Sequence, residues 1–95
     1  MQVTKPEHLL FERHAVLADL TRRLMVDARL DAPPPEDRPL SHSVDSLALI
    51  AFLTDVRRAY HVELGPWLAE SVRRGGDTLD GLCHHVVGHG APPAG

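Results

Sequence analysis

HSVDSLALIAFLTDVRRAYHVEL, residues 42–64, is the stretch on which the fold turns. Leu47, Ile50, Leu53, Val56 and Tyr60 follow one another at spacings of three, three, three and four, the step of a helix rather than the alternation of a strand. The spacing predicts an amphipathic helix with these five residues inward. Asp45 or Ser46 opens it, because either side chain can accept a hydrogen bond from an unpaired N–H of the first turn. Val62 and Leu64 form an extended exit, and Gly65-Pro66 punctuates the chain. Leu49 and Phe52 fall off the inward face and read as an apolar patch within a turn or two of Ser46, with burial in the core as the competing assignment.

Working outward, Pro6 can occupy a first helical turn, where its missing N–H costs nothing. Leu10, Leu17, Leu20 and Leu24 then mark an inward stripe that ends between Val26 and Leu30, with Glu12, Arg13, Asp19, Arg22 and Arg23 mostly off it. The segment DAPPPEDRPLSHSV carries four prolines within residues 33–39, which exclude helix. So long a loop in so small a domain needs pins, and Leu30 and Leu40 are the candidates. After residue 64, Pro66 starts a short helix with Leu68 and Val72 on one face, and Gly75-Gly76 ends it. Asp77 or Thr78 caps a last helix that turns Leu79, Leu82, Cys83 and Val86 inward. Residues 89–95 read as a frayed tail. The expected fold is all-α: four helices, a long loop between the first and second, a short third, and one domain over residues 1–95 with its core in about 6–88. Leu17, Leu20, Leu47, Ile50, Leu53, Val56, Leu79, Leu82 and Val86 are expected to share that core.

Composition narrows the function. The 95 residues suffice for one small domain. A net charge of −3 gives no general attraction to nucleic acid or anionic membrane. Four aromatic residues are too few for a base-stacking platform. The single cysteine, Cys83, allows no internal disulfide. No basic segment leads into a long apolar run, and no stretch approaches the roughly 18 apolar residues of a membrane span. The expectation is a cytoplasmic monomer with no nucleic-acid or membrane partner.

The combination of Asp45-Ser46-Leu47, the apolar steps at Ile50, Leu53 and Val56, Tyr60 near the helix end, the His61-Val62-Glu63-Leu64 exit and Thr78-Leu79 with Leu82 resembles the acyl carrier proteins and the related peptidyl carrier domains of polyketide and nonribosomal peptide assembly lines. The resemblance covers about residues 8–88. It implies an acyl-carrier-like bundle in which Ser46 bears a 4′-phosphopantetheine arm holding an acyl or aminoacyl thioester, and Asp45 helps bind Mg²⁺ while the arm is delivered. The implied partners are a phosphopantetheinyl transferase, a loading ligase or transferase, and downstream biosynthetic enzymes. A helix N-terminus suits a phosphodiester anion, and a carrier needs no catalytic set of its own, so no enzyme activity is expected.

The chain also departs from that pattern. Ser43 stands where the family usually has glycine, and His42 where it has an apolar residue. Fatty-acid carriers display several carboxylates on the second helix. Here Asp55 is the only acid between Ser46 and Tyr60, whereas Leu47, Leu49, Phe52, Arg57 and Arg58 are offered as the recognition surface. That favours a carrier of specialised metabolism and leaves the cargo open between acyl and aminoacyl. Trp67 reads as packed under the third helix. Two rival readings stand beside the carrier: an interaction module that keeps the fold without the arm, and a metal-binding protein built on Cys83, His84, His85 and His89. Against the latter, Cys83 lies on the inward stripe and no further ligand is fixed relative to His85 and His89, so no metal is assigned.

Overall fold

The computed structural model describes residues 12–74 and 77–91. The expected helix start at Pro6, the Leu10 position and Gly75-Gly76 lie outside them. The described residues form four α-helices and one 3₁₀ turn: α1 (Arg13–Asp27), the turn Leu40–His42, α2 (Ser46–Tyr60), α3 (Gly65–Arg74) and α4 (Leu79–His89). The protein is an all-α small bundle, with α1 packed against both α2 and α4.

Four helix ends have a local cause. Asp45 Oδ1 accepts from the Ala48 N–H at 2.8 Å, and Thr78 Oγ1 from the Gly81 N–H at 3.0 Å, so α2 and α4 start on side-chain caps. α1 closes with Arg29 in the left-handed region at φ 54°. The Arg29 N–H donates to the Val26 carbonyl and the Leu30 N–H to the Met25 carbonyl. That is the paired-bond helix stop usually built on glycine. His61, at φ 50°, ends α2 in the same left-handed conformation. Ser43 has a φ of −110°, so the turn before α2 needs no glycine.

The long loop is pinned as expected. Leu40 is buried and Leu30 half-buried against the core. The Leu40 N–H donates to the Asp77 carbonyl at 2.6 Å and the Asp80 N–H to the Glu36 carbonyl at 3.0 Å, tying the loop to the start of α4. These bonds give the loop backbone partners that an irregular segment otherwise finds only in water.

The core unites Val16, Leu20 and Leu24 of α1, Phe52, Val56 and Tyr60 of α2, Trp67 of α3, and Leu79, Leu82, Cys83 and Val86 of α4, with Leu40, Val62 and Leu64 from the connections. The α4 stripe and the buried Trp67 match the expectation. Leu68 is 39% exposed and does not pack inward. The tail expectation is also corrected at its start: His89 is the last residue of α4, and the Ala91 N–H donates to the Tyr60 carbonyl at 2.8 Å.

The register of α2 is corrected. Leu47 and Ile50 are 80% and 62% exposed, Leu53 is half-buried, and Phe52 is fully buried. A helix turns about 100° per residue, so the nine steps from Leu47 to Val56 amount to about 180°: repeated steps of three walk around to the opposite side. Leu49, Phe52, Leu53, Val56 and Tyr60, at steps of three, one, three and four, stay within one face. The competing assignment for Phe52 and Leu49 is therefore the one realised, Leu49 being half-buried against the core.

Candidate functional site

Ser46 is the first residue of α2 and is exposed. Its position is set from both sides. On one side, the Ser43 and Val44 N–H groups donate to the Leu40 carbonyl at 2.9 and 3.0 Å, and Leu40 and Val44 pack on the core. On the other, Asp45 caps the helix and its carbonyl accepts the first helical bond, from the Leu49 N–H at 2.9 Å. The Asp45 cap leaves the Ser46 and Leu47 N–H groups without an intrahelical acceptor, at the electropositive end of the helix. Leu47 and Ile50 lie beside Ser46 as large exposed apolar side chains.

Of the residues expected to meet partners, Leu47 is exposed near Ser46, Arg57 and Arg58 are exposed in the last turn of α2, and Leu49 and Phe52 belong to the core. Phe52 cannot contact a partner without unfolding, and Ile50 takes its place in the patch. The arginine pair lies 11 and 12 residues from Ser46, about 16–18 Å along the helix, so the serine and the basic pair occupy opposite ends of α2.

Asp55, the single acid of α2, is turned to α1. Its Oδ1 accepts from Arg23 Nη1 at 2.8 Å. Arg23 also donates through Nε to Asp19 Oδ2 at 2.7 Å, and that same oxygen accepts from the Tyr60 hydroxyl. Burial alone would raise the Asp19 carboxyl, but hydrogen bonds from Arg23, Tyr60 and Arg22 outweigh it and hold it below the ordinary carboxylate range. Burial and the adjacent Asp19 push the Tyr60 hydroxyl up. Asp27 closes the cluster. Its Oδ2 is buried without a hydrogen-bond partner among the described residues. Burial, a hydrogen bond to Asp55 that needs a proton, and the Asp55 charge push it to about 6. The sequence reading missed this cluster. Its signal was an acid or base next to a buried position on each helix: Asp19 and Arg23 beside Leu20 and Leu24, Asp55 beside Val56.

Cys83 is buried, its thiol donating toward the Arg13 carbonyl at 3.4 Å, and burial raises its pKa. Arg13 pairs with Asp80 across α1 and α4. Among the described residues no three of His, Cys, Asp and Glu are gathered as a metal cluster, and no helix is long and apolar enough to cross a membrane. A groove of about 830 Å³ runs between α1 and the proline loop, lined by residues that include Leu17, Met25, Leu30 and Pro34 with nothing from α2. No family model matches the chain, and neither a curated protein nor a solved structure is found to be similar to it.

Proposed function

We propose that this chain is a carrier protein in which Ser46 is the attachment point for a 4′-phosphopantetheine arm bearing a thioester-bound acyl or aminoacyl intermediate. The observation that carries the reading is Ser46 itself: an exposed hydroxyl on the first residue of a capped helix, held by a pinned loop. The residues present fit such a group. A phosphodiester on the Ser46 oxygen would meet the unpaired Ser46 and Leu47 N–H groups and the positive end of the α2 dipole. When bound, the arm supplies the thiol that holds the cargo. The protein contributes the anchoring oxygen, the Asp45 cap that fixes the first turn, and a surface for enzymes that load and unload the arm.

The recognition surface is the exposed pair Leu47 and Ile50. Asp55 is committed to Arg23, so α2 offers no free carboxylate row for a basic partner, and encounter is not steered by such charge. Apolar recognition of this kind supports assignment to specialised rather than fatty-acid metabolism, with a phosphopantetheinyl transferase, a loading ligase or transferase and later biosynthetic enzymes as partners. The carrier acts as their substrate and is not itself an enzyme. The expected location is the cytoplasm, as a monomer.

The second reading, an interaction module without the arm, draws on the same exposed pair, which would serve a partner whether or not Ser46 is modified. Incubation with coenzyme A, Mg²⁺ and a broad-specificity phosphopantetheinyl transferase separates the two. The carrier gains the mass of one arm, and Ser46→Ala abolishes the gain. An unmodified wild type favours the module.

A further inference from the structure

On the side of α4 facing α3, a cleft of about 580 Å³ is lined by Trp67 and Glu70 from α3 and by His84, His85 and His89 from α4. His85 and His89 are one helical turn apart, with ring centroids separated by 4.7 Å. His85 Nε2 lies 2.8 Å from the Glu63 carbonyl oxygen. A carbonyl only accepts, so Nε2 carries the proton and Nδ1 keeps its lone pair. A backbone carbonyl that fixes the tautomer of an imidazole is the usual support behind a metal-binding histidine. Sequence spacing alone could not reveal it.

We propose that His85, through Nδ1, and His89 form a two-histidine site for a divalent transition-metal ion at the mouth of the α3–α4 cleft. The separation is suitable. An ion about 2.1 Å from a ring nitrogen sits roughly 3.2 Å from that ring's centroid, so two rings at this spacing subtend about 95° at a shared ion, between octahedral and tetrahedral geometry. His85 is half-buried and held by Glu63, while His89 is exposed and can turn to meet the ion. The pair lies in the last two turns of α4, where the helix dipole favours a cation. Two imidazoles suit zinc, nickel or copper and leave coordination positions open. The site is separate from Ser46 and does not rest on the carrier reading.

The test is calorimetric titration of untagged, chelator-treated protein with zinc chloride near neutral pH. One ion per chain is expected, with His85→Ala and His89→Ala each weakening binding by roughly tenfold or more and His42→Ala and Ser46→Ala leaving it unchanged. Long-range ¹H–¹⁵N spectra should show zinc shifting the His85 Nδ1 resonance while Nε2 stays hydrogen-bonded. His89 is exposed, so its variant stays folded and keeps the test decisive even if loss of the Glu63 bond destabilises the His85 variant. Absence of stoichiometric binding, or binding that survives His89→Ala, overturns the proposal.

Discussion

The two ends of α2 carry similar apolar side chains and do opposite things with them. At the start, Leu47 and Ile50 stand largely in solvent beside an exposed Ser46. Toward the end, Phe52, Val56 and Tyr60 are buried and Tyr60 reaches across to Asp19 on α1. Exposed leucine and isoleucine contribute little to folding, whereas a buried aromatic contributes several kcal/mol. The later turns therefore hold the bundle together, and the first turns present a surface.

The sharpest way to break this comparison is to truncate one residue from each end. Phe52→Ala should destabilise the fold by about 3–5 kcal/mol, because it empties a closed core site, read as a fall in the urea midpoint at unchanged slope. A small effect there would return Phe52 to the surface and restore the register in which repeated steps of three face inward. Asp45→Ala comes next, at about 1 kcal/mol, the worth of a helix cap. A loss no larger than that of a neutral surface substitution would mean that the Asp45 cap contributes little to folding.

The cluster between α1 and α2 responds to pH. Asp27 takes up a proton more readily in the fold, at about 6, than when unfolded, at 3.8. Its contribution is complete below the lower value and lost as pH rises through the upper one. Asp19 has the opposite sign, and its contribution is lost only at acid pH, as its carboxylate is protonated. Urea midpoints across this window should fall with rising pH for the wild type and fall less for Asp27→Asn. Parallel curves would show that Asp27 does not titrate there. The smallest expected stability change belongs to Ile50→Ala, within about 0.5 kcal/mol as for an ordinary surface site. Its loading by a cognate enzyme should nonetheless slow, because exposed apolar anchors at the centre of an interface carry its affinity. Unchanged loading would remove Ile50 from the recognition surface.

How much of this was legible in the sequence differed between the helices. In α4 Leu79, Leu82, Cys83 and Val86 are set off by Asp80, His84 and His85, with the half-buried Val87 at the edge, so one stripe is defined and all four are buried. In α2 the seven positions 47, 49, 50, 52, 53, 56 and 60 are all apolar or aromatic. They cover more than half the circumference, and only the placement of α1 decides which go inward. The Ser46 start of α2 was legible because capping is local chemistry. The Arg23 bridge was not, because Asp19 lies four residues away and Asp55 32, and the second partner is supplied by tertiary packing.

The most direct measurement is the intact mass of the protein isolated from cells that also express a broad-specificity phosphopantetheinyl transferase, followed by fragmentation of the peptide containing Ser46. The expected result is a population heavier by one phosphopantetheine, with the added mass on Ser46 and absent from Ser46→Ala. A single unmodified mass, with the transferase shown active on a control carrier, would contradict the assignment of Ser46 as the attachment point.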